Sequence, residues 1–339
     1  MRKITVAVNK AGFMRNPTNC GALTTVSSVI GFVPGTSESS TVSASSPFQV
    51  GNCSALAFKP SFTAKSSAKV SKANGASLET TLKMPSGQSN VKSVLVQLPK
   101  QLVSRLTTLN KACLAANFDT NPYSCPSGSY VGGVTAKTPV LPGTLTGAAV
   151  LVSHGGEAFP DLDLVMNDGA VRVILVGHTK ITKGITTTNF FETPDVPVTS
   201  ITVNLPTGSH SAVTNNGNLC AQPLVMPTTI TGWNGATVKQ NTNIKVNGCG
   251  VRITGEKTVG NTAYLTVQTF AGGRISGSGN EFKTVYRKLK NASKSVSLKV
   301  PLSSASASRR PLTVRVRVGF VPSKKGESSS KAYRTVTFR

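Results

Sequence analysis

Acidic residues are scarce in this chain: 12 Asp and Glu stand against 37 Lys and Arg in 339 residues. Histidine occurs three times and tryptophan once. So few carboxylates and imidazoles leave little material for acid–base or metal chemistry. A glycosidase needs two carboxylates across a cleft, and only Glu157, Asp161, Asp163, Asp168 and Glu192 cluster in sequence. There is no Gly-x-Ser-x-Gly elbow and no phosphate-binding Gly loop with its Lys. No run approaches the roughly 18 apolar residues that span a membrane as a helix. Residues 1–8 open like a signal peptide, but the apolar run stops at Asn9-Lys10, short of an h-region of about 7–15 residues. Ile4, Val6 and Val8 alternate with Thr5 and Ala7, which is a strand pattern. The chain therefore reads as a piece of a longer exported protein, or as one without its leader.

What fills the sequence is uncharged. Charged residues make up 14%, against about 25% in an average globular domain. Ser, Thr, Gly and Asn take their place, and these suit sheet surfaces and turns. The balance points to an exported β-protein.

Six cysteines, Cys20, Cys53, Cys113, Cys125, Cys220 and Cys249, allow fifteen pairings. They fall into three separated pairs in chain order, which favours three local disulfides and an oxidising exterior. No pair has the two-residue spacing of zinc ligands, and free thiols in a reducing compartment are the other reading.

Two of the pairs bracket similar segments. Cys20 precedes Leu23-Thr24-Thr25-Val26, a Gly/Pro turn region and Phe48-Gln49-Val50-Gly51-Asn52-Cys53. Cys220 precedes Thr228-Thr229-Ile230-Thr231, Trp233-Asn234-Gly235 and Ile244-Lys245-Val246-Asn247-Gly248-Cys249. Asn-Gly between alternating segments is a hairpin signal. A cysteine at each open end would clamp a two-stranded unit that is marginal alone.

The chain then divides into a stapled hairpin segment (1–53), a large β-rich module (54–219), a second stapled hairpin (220–249) and a smaller module (250–339). Strands are expected at 148–152, 171–176 and 201–205. Leu98, Leu102, Leu106, Leu109 and Cys113 recur at three- and four-residue steps, predicting one helix at about 99–115 with Pro99 in its first turn. Further strands are expected at 263–267, 296–300 and 312–320. In the last, Leu, Val and Phe alternate with outward Arg315 and Arg317. That spacing suggests an immunoglobulin-like sandwich. The expected fold is mostly β, with tandem sandwich-like modules.

The net charge of +25 implies a polyanionic neighbour. Residues 250–339 carry 18 of the 37 bases and only three acids, Glu256, Glu281 and Glu327. Candidate polyanion-binding residues are Arg287, Lys288, Lys290, Arg309, Arg310, Arg315, Arg317, Lys324 and Lys325. Such a face binds polymer phosphates without reading sequence. Base stacking would need exposed rings on it. Phe320 and Phe338 follow the apolar phase of their strands, which argues against nucleic acid, while Tyr264 and Tyr286 are unplaced.

His154 lies in Ser153-His154-Gly155-Gly156-Glu157, ahead of Asp161 and Asp163. A divalent site could be drawn from His154, Glu157, Asp161 and Asp163, but their spacing matches neither paired-His nor calcium-loop patterns. A polar turn between strands is expected there. No residue points to a cofactor.

The segments Asn16-Pro17-Thr18-Asn19-Cys20, Ser46-Pro47-Phe48-Gln49-Val50, Leu98-Pro99-Lys100-Gln101-Leu102, Thr138-Pro139-Val140-Leu141, Pro160-Asp161-Leu162 and Asn218-Leu219-Cys220 resemble a module repeated in large uncharacterised secreted proteins of actinobacteria. The resemblance covers roughly residues 12–250. The C-terminal part looks like the basic Ig-like domains at the ends of such proteins. The resemblance implies export, a cell-surface setting, tandem β-modules as neighbours and no catalytic residues. The expected function is a non-enzymatic structural or adhesive surface module, a stalk or wall-associated spacer. One alternative is a binding module for an anionic cell-wall polymer or glycan through the C-terminal domain. Another is a cryptic hydrolase at His154, Glu157, Asp161 and Asp163.

Overall fold

The computed structural model describes residues 5–7, 10, 14–191, 193–217, 219–220, 222–323 and 329–339. Ile4, Val8, Glu192, Asn218, Lys324, Lys325 and Glu327 lie outside the described residues, so the expected strand at 4–8 is largely outside them too.

The N-terminal hairpin joins β1 (Ala22–Phe32) and β2 (Ser39–Gln49), paired antiparallel along their full length. It forms its own two-stranded sheet, with nearly all of its residues exposed. The Cys20–Cys53 disulfide closes its open end.

A large sheet follows. It begins with β3 (Ser61–Ser67), β4 (Leu78–Lys83) and β5 (Val91–Gln97). The chain then makes β6 (Leu102–Ser104), α1 (Leu106–Leu109), β7 (Cys113–Leu114) and α2 (Ala115–Thr120). Next come β8 (Tyr130–Lys137), β9 (Thr144–Ser153), β10 (Asp161–Asn167) and β11 (Arg172–Leu175). The last are β12 (Gly177–Thr182), β13 (Ile185–Phe190), β14 (Ser200–Leu205), β15 (Val213–Asn215), β16 (Leu224–Gly232) and β17 (Thr237–Asn247).

Twelve of these strands form one ladder, in the order β11-β10-β9-β8-β14-β4-β3-β17-β16-β5-β13-β12. β7 adds to β9, and β6 pairs with β15 in a separate ribbon. The two ends of the ladder meet. β11 covers only Leu164–Asn167 of β10. The first half of β10 lies against β12, where the Thr179 N–H donates to Asp161 Oδ1 at 3.2 Å. A Cβ at Gly177 would stand 2.5 Å from the Leu162 carbonyl oxygen. The sheet is therefore a nearly closed barrel. The expected sandwich is corrected here. The inward faces of these strands share one apolar core, and a twisted sheet of this many strands curls on itself.

The second clamped hairpin forms as expected, with Cys220–Cys249 at its base. Its strands sit inside the ladder, β16 beside β5 and β17 beside β3, rather than in a unit of their own. Cys113–Cys125 is the third disulfide, and no cysteine is free.

The helix expected at about 99–115 is also corrected. Residues 102–104 pair as a strand with Val213–Asn215, and Arg105 is extended. Only four residues then turn as a helix before Cys113 joins β9. The Arg105 guanidinium donates to the Ala73, Gly208 and Ser209 carbonyls, and Thr108 Oγ1 donates to the Ser211 carbonyl. These tertiary bonds outweigh a weak helical tendency in a segment rich in β-branched Val103, Thr107 and Thr108. Leu98, Leu102, Leu109 and Cys113 are still core, but Leu106 is 61% exposed.

Between residues 251 and 338 the described residues hold seven strands: β18 (Val251–Val259), β19 (Thr262–Thr269), β20 (Gly273–Ser278), β21 (Val285–Leu289), β22 (Ser293–Pro301), β23 (Leu312–Pro322) and β24 (Ser330–Phe338). They form sheets β18-β19-β22 and β21-β20-β23-β24. One core, including Leu265, Leu298, Val316, Phe320 and Phe338, joins the two.

Candidate functional site

Three places carry chemistry: an acid–histidine cluster outside the barrel, the outer face of the β21-β20-β23-β24 sheet, and the barrel interior.

The cluster sits on β10. The expected polar turn between strands forms at residues 154–160, but Asp161 and Asp163 belong to β10 rather than to that turn. Strand alternation sends Leu162, Leu164 and Met166 inward and leaves Asp161, Asp163 and Val165 on the outer face. That face is covered by a small apolar cluster of Cys113, Phe118, Cys125, Val150, Val152 and Val165. Asp161 is held by His178 Nδ1 at 2.8 Å, with His154 Nε2 at 3.7 Å. His178 also stacks on Phe191, with ring centroids 4.6 Å apart.

Asp163 is wholly buried, and neither carboxyl oxygen has a hydrogen-bond partner. Burial, reinforced by the neighbouring Asp161 charge, pushes its pKa up to about 7. Glu157 turns away from the cluster. It accepts from Ser153 Oγ and the His154 N–H at 2.8 Å each, and its own backbone N–H, followed by these bonds, holds its pKa low. Among the described residues, no group of three or more His, Cys, Asp and Glu is placed to hold a metal ion.

A second carboxylate has a structural task. Asp195, in the β13–β14 loop, accepts from the Thr18 and Asn19 N–H groups, Thr18 Oγ1, Asn19 Nδ2 and Asn90 Nδ2 at 2.7–3.0 Å. Partial burial works to raise its pKa, but these bonds prevail and lower it. They anchor the chain just before Cys20 to the barrel.

On the β21-β20-β23-β24 sheet, cross-strand register fixes which side chains share the outer face. Lys288 lies opposite Arg274, Tyr286 opposite Ser276, Arg317 opposite Tyr333 and Gly319 opposite Lys331. Arg315 lies next along β23 on the same face. The face thus gathers Arg274, Lys288, Arg315, Arg317 and Lys331 with two rings. Tyr286 is 64% exposed and Tyr333 44%. The Arg274 guanidinium lies 5.3 Å from the Tyr286 ring centroid, and that of Arg315 lies 4.3 Å from Tyr333. Neither Glu256 nor Glu281 is on this face: they pair with Arg334 and Arg309.

Of the expected basic residues, Lys288, Arg315 and Arg317 come together here. Arg287 has the opposite phase and donates to the Ser297 carbonyl of the facing sheet. Arg309 pairs with Glu281, and Arg310 donates to Asn261 at the other end of the module. Lys290 is exposed just past β21, and Lys324 and Lys325 lie outside the described residues. Arg274, Lys331, Tyr286 and Tyr333 complete the face unforeseen. The alternation of Arg274 with buried Ile275, and of Lys331 and Tyr333 with buried Ala332, was the available signal. Phe320 and Phe338 are core, as expected.

The barrel encloses a cavity of about 380 Å³. Its wall includes Phe62, Leu82, Val96, Leu164, Met166 and Ile201. The acid–histidine cluster lies on the far side of β10, so the cavity does not serve those acids.

No family model matches the chain, and no curated protein matches it. Among solved structures it is similar to a "Biofilm associated protein - BSP domain", with 9% identity and a TM-score of 0.20, over 83% of this chain and 51% of that one. It is also similar to dimeric latent PorU from Porphyromonas gingivalis, with 7% identity and a TM-score of 0.22, over 86% of this chain and 35% of that one. The chain thus spans about half of the first structure and a third of the second. At these values neither likeness bears on the function.

Proposed function

We propose that this is a non-enzymatic, exported surface module that adheres to an anionic polymer through its C-terminal sandwich. The observation that carries the reading is the outer face of the β21-β20-β23-β24 sheet. Five cations lie there with two exposed tyrosines and neither described acid of that module. Polymer anions gain from a flat cationic face through release of their counterions. The rings add stacking or sugar contact beside guanidinium groups. The strand order of the two sheets supports an immunoglobulin-like module, whose flat faces suit such display. Three disulfides favour an oxidising, extracellular setting. The resemblance of its motifs to those of secreted actinobacterial repeat proteins supports a place within a longer surface protein. One carboxylate, Asp161, between His178 and His154, with Asp163 buried beside it, gives the hydrolase reading little support.

The test is retention on immobilised polyphosphate and on dextran sulfate. The full chain should bind at low salt and elute as salt rises. R274A/R315A/R317A should elute at markedly lower salt, whereas R309A/R310A should shift elution less. Equal elution of the two variants would refute the assignment of the face.

A further inference from the structure

The barrel interior has the form of a calyx. Its lower end is closed by α1 and the β6–β15 ribbon: Leu98, Ser104, Leu109, Ala212 and Val213 line the cavity there. Its upper end is framed by the loops after β8, β10 and β13. There Val140, Val171 and Val196 line the cavity and are also exposed. Exposed valines converging on an opening are unusual for a surface meant only for water.

Among the described residues, the lining holds no charged side chain. Most of its hydroxyls are already engaged. Thr179 and Thr188 share a hydrogen bond at 3.4 Å, and Thr186 donates to Ser104 at 3.0 Å. Thr138 donates to the Pro197 carbonyl at 2.6 Å, and Thr193 to that of Val91. Water held in a cavity needs two to four polar partners, and apolar cavities instead stay dry and take up hydrocarbon. A volume of about 380 Å³ lies within the range of small-molecule sites. The cavity follows β5 from Val91 at the mouth to Leu98 at the closed end, about 20 Å of strand at roughly 3.3 Å per residue. Such a volume drawn out over that length is narrow, as a single hydrocarbon chain is.

We infer that the barrel binds one acyl chain, tail inward, through the mouth framed by Val140, Val171 and Val196. The occupant is a free fatty acid or the tail of a lipid. Each methylene that leaves water for this lining adds to the binding, so a long chain is favoured over a short one. This site is independent of the basic face and adds a second ligand class to the molecule.

The probe is cis-parinaric acid, whose fluorescence rises in an apolar site, titrated into the oxidised full-length chain. Saturable binding at one per chain is expected, with displacement by palmitate at least tenfold better than by octanoate. Palmitate in solution and vesicles of dipalmitoyl phosphatidylglycerol, added separately, distinguish the sources: displacement by the first marks free acid, and displacement by the second marks a lipid tail. A136W fills the cavity from a small wall residue and should weaken parinarate at least tenfold, while R315A/R317A should leave it unchanged. V196D, at the exposed mouth, gives the same reading should A136W not fold. No saturable binding by the parent chain, no displacement by either competitor, or unchanged binding in a folded cavity or mouth variant would overturn the inference.

Discussion

Asp163 offers a sharp electrostatic test of the barrel wall. Its carboxyl is fully buried on β10 without a hydrogen-bond partner. Burial and the Asp161 charge raise its pKa from 3.8 to about 7. A carboxyl raised in the folded state binds its proton more tightly there than in the unfolded chain. Its contribution to stability is therefore whole below about pH 4 and is lost as pH rises through 7. The shift from 3.8 to about 7 is worth about 4 kcal/mol in all, at about 1.4 kcal/mol per pH unit. Between pH 5 and pH 8 the loss from this group alone is about 2–3 kcal/mol. In D163N the side chain stays neutral, so that slope disappears. The assay is urea unfolding of parent and variant at pH 5, 6, 7 and 8. An amide left unpaired costs the same at every pH, so the difference in slope isolates the proton. Parallel profiles for the two proteins would refute the claim that burial beside the Asp161 charge holds the Asp163 proton.

Two further outcomes follow from the covalent and polar staples. In the chain-entropy account, C113S/C125S should lower stability by about 3 kcal/mol and C220S/C249S by slightly more, about 3.5 kcal/mol, since the second loop is longer. Denaturant midpoints would show it, and no loss in either variant would contradict bracing by those bridges. D195A removes five acceptor contacts and should free the segment around Thr18 and Asn19, costing about 1.5–3 kcal/mol. The Asp195 pKa is lowered, so its support is present near neutral pH and is lost as pH falls through that depressed value. Amide hydrogen exchange at Thr18 and Asn19, followed on acidification in the parent and at neutral pH in D195A, would check both. Unchanged protection in D195A would count against the anchor.

Local chemistry was the legible part of the fold. The cysteine pairs, the Asn234-Gly235 hairpin and the period-2 run of β23 each depend on neighbours in sequence, and each has its expected form. Barrel closure was not legible, because β17 pairs in parallel with β3 across nearly the whole module and β10 meets β12 edge to edge. Such partners are chosen by a shared interior that no local pattern displays. Leucine spacing misled at 99–115, since Leu98, Leu102 and Leu109 reach one core from a turn, a strand and a short helix. The basic face was half legible. Arg315 and Arg317 follow from alternation on one strand, whereas Tyr286 and Tyr333 join them only through pairing between strands distant in sequence.

The proposed surface role requires an oxidised, locally cross-linked β-scaffold. Its most direct test is thiol alkylation of the protein as isolated from its native source, in denaturant without reductant, read by intact mass and peptide mapping. The expected result is no alkylated cysteine, with peptides joined through Cys20–Cys53, Cys113–Cys125 and Cys220–Cys249. Six alkylated thiols would contradict it.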